Sequence, residues 1–392
     1  MENLANYDVI RVFKAKAFER NLLKVIEKFG EKVGVVVKAD AYGIGIKNVL
    51  PIFEKHKVSN YFCQDIIEAL KLKSLLKNKG ANVFTFAGVQ MGQEAEFVKS
   101  GIIPVCVSLE QIERFNDYAK KNNVKPKIGI HFDTGMNRTG LSITDSEILR
   151  ENFAGFTSNL DVVLYLSHLY SAYDKGAVSN KIQLQRFKCM TAGLPKAELS
   201  LSASGGSFRL SHNFHFDMVR IGAGLYGEIR EMEPVVSVYT KILQIREVDK
   251  GESIGYFGGF KARKQMKIAI TNIGYKDGYS RGLSHTNKLT DIIRAKLKSG
   301  ANFARSYMVI DGKYKCPVVG IISMNNTLID VSNVPQEVLN KTEFVEVLGK
   351  NANLLDFREA NGFVPCDLIN SLLAPNPNAI DLTEDEFKKL KI

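Results

Sequence analysis

A series of short apolar runs, separated by stretches with helical periodicity, constrains the fold of the first 230 residues more than any other feature. Continuous apolar runs are typical of strands buried on both faces, and amphipathic stretches between them indicate parallel βαβ units. Eight such runs favour a closed (β/α)8 barrel, for which about 250 residues is the usual size. An open doubly wound sheet is the alternative, but no GxGxxG follows the first run. The runs are 33–37, 61–63, 83–86, 103–107, 127–132, 162–167, 197–201 and 216–221.

From residue 231 the pattern changes to β-rich segments separated by Gly and Asp-Gly turns, with little helical periodicity. The Asp311-Gly312 pair lies between two apolar runs and predicts a β-hairpin. We therefore predict an α/β chain with a barrel domain over residues 1–230 and a mostly-β domain over residues 231–392. The β-rich segments are 235–248, 265–275, 307–322 and 343–349.

Composition excludes several classes of protein. With 45% hydrophobic and 24% charged residues, the chain has the composition of a globular protein. No secretory signal and no long uninterrupted apolar stretch is visible, so we expect no membrane association. The five cysteines are scattered without a CxxC pair and are expected to be reduced thiols in a cytoplasmic protein. His212 and His215 lack a third ligand, so we expect no metal site.

The net charge of +11 raises the alternative of a nucleic-acid-binding surface. One basic cluster lies in a segment whose leucines form an apolar helical stripe, and its members are Lys71, Lys73, Lys77 and Lys79. A solvated helix face explains these lysines, and no nucleic-acid-binding motif accompanies them. We therefore expect no nucleic-acid partner.

Lys38 ends the first apolar run, where a barrel strand meets the face that carries active sites. Desolvation there would lower the pKa of the amine and leave it able to form a Schiff base, although a solvated lysine outside the barrel is the alternative. Tyr42 follows closely, and the glycine-rich segments 202–206 and 220–227 offer hydroxyls and backbone N–H groups to an anion. Together these features suggest a phosphate-bearing aldehyde cofactor, pyridoxal phosphate.

Six motifs, in family order, resemble those of the bacterial alanine racemases of fold type III. The resemblance extends from about residue 8 to beyond residue 350 and so includes both predicted domains. Lys38 begins the segment that matches the family's pyridoxal-lysine motif. The motifs are KADAYGIG (38–45), DTGMNRTG (133–140), SHLYSAYD (167–174), RIGAGLYG (220–227), IGYKDGYSR (273–281) and GIISMNNTLIDV (320–331).

The resemblance implies two catalytic bases of different kinds. Lys38 would bind the cofactor covalently and act as one base, and Tyr275 of a partner subunit would act as the other. This arrangement implies a homodimer in which the β domain completes the neighbouring site. Arg138 would contact the phenolic oxygen of the cofactor and the substrate carboxylate, which the Met324 amide would help to hold.

The resemblance also implies how the cofactor is bound. Arg220 would face the pyridine nitrogen and, unlike an aspartate, would leave it unprotonated. His168 would form a hydrogen bond with Arg220 or Tyr275. The phosphate would be held by Tyr42, Ser204, Gly222 and Ala223.

The implied activity is interconversion of L- and D-alanine, a small amino-acid substrate, to supply D-alanine for peptidoglycan in a bacterial cytoplasm. Three departures from the family pattern affect this interpretation. His131 stands where the family often has a carbamylated lysine, Asn325 replaces an aspartate after the substrate-loop methionine, and Cys366 aligns with a phosphate-binding tyrosine. The alternatives are a racemase for another amino acid, such as serine or lysine, and a pyridoxal-phosphate-binding homologue without racemase activity.

Overall fold

The computed structural model describes residues 6–279, 306–353, 356 and 365–390. No helix in these ranges is long and apolar enough to cross a membrane. The strands are β1 (Val9–Phe13), β2 (Val33–Val36), β3 (Asn60–Cys63), β4 (Asn82–Thr85), β5 (Ile103–Cys106), β6 (Lys127–His131), β7 (Asp161–Leu166), β8 (Glu198–Ser200), β9 (Val219–Ile221), β10 (Val236–Val248), β11 (Ser253–Ile254), β12 (Phe260–Lys261), β13 (Met266–Thr271), β14 (Tyr307–Ile310), β15 (Tyr314–Pro317), β16 (Thr327–Asp330), β17 (Phe344–Leu348) and β18 (Ala379–Thr383). The right-handed α-helices are Ala15–Phe29, Ile46–Lys55, Ile66–Leu75, Glu94–Ser100, Leu109–Lys121, Ile143–Glu151, Phe153–Thr157, Val178–Thr191, Ser204–Arg209, Gln336–Leu339, Pro365–Leu372 and Glu384–Lys388.

Strands β2 to β9 form one sheet of eight parallel strands in the order β8-β7-β6-β5-β4-β3-β2-β9. An isolated parallel bridge between Ala203 and Arg220 joins the segment after β8 to β9, so the barrel is nearly closed. Every residue of β2 and β5 is buried, as expected for strands packed on both faces. Each strand coincides with one of the eight apolar runs, which confirms the predicted (β/α)8 barrel.

Side-chain caps start several of the barrel helices directly after their strands. Asp65 accepts hydrogen bonds from two backbone N–H groups at the start of helix Ile66–Leu75, and Ser108 accepts one, from the Gln111 N–H, at the start of helix Leu109–Lys121. Ser142 forms a capping box with Asp145. The strand-to-helix turns are therefore well ordered, and they place their residues at the carboxyl ends of the strands, where barrel active sites lie.

The C-terminal part of the chain is mostly β, as predicted. Its principal sheet has the order β15-β14-β17-β10-β1-β18, with β13 paired to β10 and β16 paired to β13. The predicted hairpin is confirmed, since β14 and β15 pair in antiparallel fashion on either side of Asp311 and Gly312. Both turn residues have positive φ, 52° and 61°, as the Asp-Gly signal requires.

Strand β1 belongs to this second sheet, whereas the sequence prediction placed all of residues 1–230 in the barrel domain. It pairs antiparallel with β10 and parallel with β18. Arg11 on β1 is buried and forms an ion pair with Asp381, with 2.6 Å between Nε and Oδ1. The chain divides into two compact units. The barrel unit contains Leu22–Ala41 and Gly45–Leu225. The other unit contains the residues up to Asn21, Tyr42–Ile44 and the residues from Tyr226 onward. The local sequence of a five-residue strand does not specify which sheet it joins.

Candidate active site

Lys38 follows β2 and begins a left-handed turn. Residues 39–42 have φ values of 54°, 50°, 57° and 57°, and none of them is glycine. A left-handed conformation costs about 1–2 kcal/mol for each such residue, so the turn is strained. Asp40 supports it, because one carboxylate oxygen accepts a hydrogen bond from the Ile46 N–H at 3.0 Å and the other lies 3.0 Å from Lys71 Nζ. Lys38 itself is partly exposed, so it is neither fully buried in the barrel nor fully solvated.

Arg220 is a fully buried cation on β9, with 2% of its surface exposed. Its guanidinium donates hydrogen bonds to the Ser200 carbonyl at 2.8 Å, to the Ser200 hydroxyl at 2.5 Å and to the Ser167 carbonyl at 2.5 Å. None of the carboxylates in the described ranges forms an ion pair with it. Burial, followed by the charge of Arg138, lowers the pKa of Arg220 to about 9. The guanidinium is therefore still charged at neutral pH.

Two histidines lie in the electrostatic neighbourhood of Arg220. Burial, followed by the charges of Arg220 and Arg138, lowers the pKa of His131 to about 3, which Asp133 only partly offsets. The same causes, in the same order, hold the pKa of His168 well below its usual value. Both imidazoles are therefore neutral at neutral pH.

The hydrogen bonds of Arg220 correct one expectation. Its guanidinium donates to backbone carbonyls and to a serine hydroxyl rather than to His168. Of the two partners expected for His168, the first is therefore not observed. The two side chains interact through charge instead, and Lys38 also contributes to lowering the pKa of His168.

The loop that carries Arg138 is organised by Asp133. One oxygen of this carboxylate accepts hydrogen bonds from the N–H groups of residues 135, 136 and 137, at 2.8, 2.9 and 3.1 Å. Gly140 closes the loop with φ of 118°, and a Cβ there would lie 2.8 Å from the Asp133 nitrogen. Arg138 is exposed at the tip of this rigid loop, where its guanidinium can meet an anion.

Gln183 connects the Arg138 loop with the strand end that carries His168. Its amide nitrogen donates to the Thr134 hydroxyl and to the His168 carbonyl, both at 3.0 Å, and its oxygen accepts from the Tyr170 N–H at 3.1 Å. The side chain is 1% exposed and all these contacts lie within one compact unit. Gln183 was not predicted as a site residue, because a glutamine on a helix has no local signal that distinguishes it from a surface residue.

Ser204 contacts the glycine-rich segment that follows β9. The Ser204 hydroxyl oxygen accepts hydrogen bonds from the N–H groups of Gly222 at 3.1 Å and Gly224 at 3.0 Å. The N–H of Ala223, which lies between these two donors in the chain, does not donate to Ser204, and its expected role at the phosphate stays a prediction. Tyr42 is buried against Tyr226, with ring centroids 4.4 Å apart.

The donor set of the barrel unit fits pyridoxal phosphate. The Ser204 hydroxyl suits a phosphate oxygen, and the positive charges of Arg138 and Arg220 suit an anionic ligand. Lys38 provides an amine at a strand end for the aldehyde. The chemistry of these groups therefore matches the cofactor that the motifs imply.

In the C-terminal unit, Tyr275 and Met324 lie on adjoining loops. The Tyr275 N–H donates to the Ser323 carbonyl at 3.0 Å, and the Lys276 N–H donates to the Met324 carbonyl at 3.1 Å. Gly274 makes this approach possible, because a Cβ there would lie 2.3 Å from the Met324 carbonyl oxygen. Two of the predicted site residues are thus brought together by backbone contacts.

The two other departures from the family pattern, Asn325 and Cys366, lie in the C-terminal half of the chain. Asn325 is exposed beside Met324. Cys366 lies in helix Pro365–Leu372, but its side chain is outside the described part of the structure, as are Ser280 and Arg281 of the fifth motif.

Comparisons with known proteins agree across both units. The family model for the alanine racemase N-terminal domain matches residues 14–230, and that for the alanine racemase C-terminal domain matches residues 235–377. The chain is 32% identical over 360 residues to an alanine racemase of Brucella canis, covering 87% of this chain and 85% of the relative. It is 31% identical over 347 residues to a biosynthetic alanine racemase of Agrobacterium fabrum, covering 87% and 85%.

A solved structure supports the same assignment. The alanine racemase of Bartonella henselae, with covalently bound pyridoxal phosphate, superposes with a TM-score of 0.82 at 29% identity, covering 96% of this chain and 99% of that one. The match includes the nearly closed barrel and the mostly-β sheet. The chain therefore belongs to the alanine racemase family.

Proposed function

We propose that the protein is a pyridoxal-phosphate-dependent racemase that interconverts L- and D-alanine. The observation that carries this proposal is the cluster of Lys38, Arg138 and Arg220 at one end of a barrel whose relatives are alanine racemases. The cluster combines an amine for the cofactor aldehyde with cations for a phosphate and a carboxylate.

The residues that would hold the cofactor lie on β9 and on the segments that follow β2, β6, β8 and β9. Lys38 would bind its aldehyde carbon, Arg220 would donate a hydrogen bond toward its ring nitrogen, and Arg138 would contact its phenolic oxygen. The phosphate would be held by Tyr42, Ser204, Gly222 and Ala223, and the Gly224 N–H donates to the Ser204 hydroxyl oxygen. When bound, the cofactor stabilises negative charge at the substrate Cα.

Racemisation requires a proton to leave one face of a planar carbon and another to arrive on the opposite face. We assign the Lys38 amine to one face and the Tyr275 hydroxyl of a partner subunit to the other. General acid–base catalysis by each group typically contributes about 10²–10⁴-fold. A tyrosine ordinarily titrates near about 10, so Tyr275 needs a cation nearby to act as a base. Arg138 is the candidate, because neutral His168 carries no charge.

The assembly and setting follow from the same proposal. We place the enzyme in a homodimer, with residues 1–230 as the cofactor-binding domain and residues 231–392 as the domain that supplies Tyr275 across the interface. The four cysteines whose side chains the structure describes are free thiols, which supports a cytoplasmic location. D-alanine made there would supply peptidoglycan.

The test is solvent-deuterium exchange at the Cα of alanine in purified holoenzyme. We expect deuterium in both enantiomers, loss of the visible absorbance of the lysine-bound cofactor in Lys38→Ala, and exchange without inversion in Tyr275→Phe. Exchange into serine or lysine but not alanine would indicate the alternative substrates. Cofactor binding without exchange into any amino acid would indicate a homologue that has lost the activity.

A further inference from the structure

The left-handed turn after Lys38 is attached to the neighbouring strand end by one carboxylate. One oxygen of Glu68 accepts a hydrogen bond from the Ala39 N–H at 2.7 Å, and the other accepts from the Gln64 N–H at 2.8 Å. Ala39 follows β2 and Gln64 follows β3, which are adjacent parallel strands. Glu68 therefore joins two consecutive strand-to-helix turns at the face of the barrel that carries the candidate active site.

Glu68 is itself held in place by its helix. It lies in the first turn of helix Ile66–Leu75, and the Asp65 cap accepts hydrogen bonds from the N–H groups of Ile67 at 2.9 Å and Glu68 at 3.1 Å. Its backbone is fixed at the start of a helix, so its carboxylate is presented to the Lys38 turn from a rigid element.

The contact with Ala39 acts directly on Lys38. The Ala39 N–H and the Lys38 carbonyl belong to the same planar peptide unit. A hydrogen bond that fixes this N–H therefore fixes the plane that follows Lys38, and with it the ψ angle of Lys38 and the direction of its Cα–Cβ bond. Asp40 anchors the next part of the same turn to Ile46 and Lys71.

We propose that Glu68 is a positioning residue for the racemase reaction, which holds the strained turn after Lys38 so that the lysine amine points in the direction needed for cofactor attachment and proton transfer. This inference rests on the proposed function, because it concerns the same lysine. In this role Glu68 contacts neither the cofactor nor the substrate, and it acts only through the Lys38–Ala39 peptide.

The test compares Glu68→Gln with Glu96→Gln. Glutamine has nearly the same shape as glutamate but only one acceptor oxygen, so its NH2 group faces one of the two backbone donors. Glu96 is the control because it lies in the first turn of helix Glu94–Ser100, and its carboxylate accepts no hydrogen bond in the described ranges. The readouts are the visible circular dichroism of the lysine-bound cofactor, the pH titration of its absorbance, kcat, KM and apoprotein unfolding.

We expect Glu68→Gln to bind the cofactor in full yield with reduced visible circular dichroism and a shifted absorbance titration. Misplaced reacting groups cost on the order of 10²-fold in rate, so kcat should fall by up to that factor while KM for alanine changes little. Glu96→Gln should match the parent in all readouts. Unchanged dichroism, titration and kcat in Glu68→Gln, with or without lower thermal stability, would overturn the proposal.

Two further comparisons cover a variant that fails to fold and a parent protein that does not racemise alanine. If Glu68→Gln does not accumulate as folded protein, Glu68→Asp replaces it, because its carboxylate is one methylene shorter and cannot span both N–H groups. The same outcomes then support or overturn the proposal. If the parent protein binds the cofactor but does not racemise alanine, the proposed function fails, while the dichroism and titration still decide the role of Glu68.

Discussion

Arg220 is a buried cation that places positive charge in the interior of the candidate site. Its guanidinium donates to three backbone carbonyls and to the Ser200 hydroxyl, without an ion pair to any carboxylate in the described ranges. Burial, followed by the charges of Arg220 and Arg138, lowers the pKa values of His131 and His168. The site is thus built around hydrogen-bond donors and neutral imidazoles, which suits anionic ligands.

Replacing Arg220 should change the side reactions of the enzyme. A carboxylate opposite the ring nitrogen would favour its protonation and delocalise charge into the ring, so Arg220→Glu should accumulate pyridoxamine phosphate during turnover. Arg220→Lys, which keeps a cation, is the control and should accumulate little. The measurement is quantification of pyridoxamine phosphate by mass spectrometry after extended reaction with alanine. Equal accumulation in both variants would contradict the assigned role.

His131 should make the protein less stable in acid. Its pKa is about 3 in the folded protein and near about 6.5 in an unfolded chain. Between these values the unfolded state binds a proton that the folded state does not, so stability is full above pH of about 6.5 and falls as pH decreases, by up to about 1.4 kcal/mol per pH unit.

His131→Asn should therefore reduce the slope of unfolding free energy against pH in the acid range. The measurement is urea denaturation of the apoprotein between neutral and mildly acidic pH. His212→Gln is the control, because His212 is an exposed residue away from this cluster. An unchanged slope in His131→Asn would show that His131 does not titrate as inferred. His168 contributes in the same direction, so part of the slope should persist.

At the scale of elements, the strand-to-helix loops of the barrel are organised by acidic side chains that accept backbone N–H groups. Asp133 does this within the Arg138 loop, and Glu68 does it between two loops. Each carboxylate fixes backbone rather than pairing with the nearby cations. These hydrogen bonds restrain the loops that carry Lys38 and Arg138.

Asp133 should act through hydrogen-bond acceptance rather than charge. Asp133→Ala removes three hydrogen bonds from the loop, each worth about 0.5–1.5 kcal/mol, so KM for alanine should rise on the order of tenfold as Arg138 loses its placement. Asp133→Asn keeps an acceptor oxygen and should remain near the parent value. The measurement is steady-state kinetics in both reaction directions. A similar KM increase in both variants would indicate an effect of charge instead.

At the scale of the whole molecule, the two proposed bases belong to different compact units. Lys38 lies in the barrel unit, and Tyr275 lies in the unit that includes β1 and the C-terminal strands. Backbone contacts hold Tyr275 and Met324 on adjoining loops. A site completed by a partner subunit would draw the base and part of the carboxylate site from the same pair of loops.

Mixed dimers test this arrangement. If each site combines Lys38 of one subunit with Tyr275 of the other, a heterodimer of Lys38→Ala and Tyr275→Phe has one site with both bases intact. Co-expression of the two variants in equal amounts should then restore roughly a quarter of parent activity, since half the dimers are mixed and each has one working site. Either variant alone is the control. No recovery in isolated heterodimers would contradict the shared site.

The local sequence determined much of this protein. Eight apolar runs predicted the barrel strands, Asp311 and Gly312 predicted the hairpin, and the ordered motifs indicated the family. These features depend on periodicity, turn propensity or contiguous residues, and all three can be recognised in the local sequence. Lys38 could be singled out in the same way, because a lysine at the end of a buried strand is unusual.

The tertiary structure alone decided which distant groups meet. It placed β1 in the C-terminal sheet, where Arg11 contacts Asp381, and it directed Glu68 to the Ala39 N–H. Sheet membership depends on pairing between segments far apart in the chain, and a side-chain-to-backbone hydrogen bond depends on the conformation of the turn that offers its N–H. Local patterns carry neither kind of information, because both arise only when the whole chain has folded.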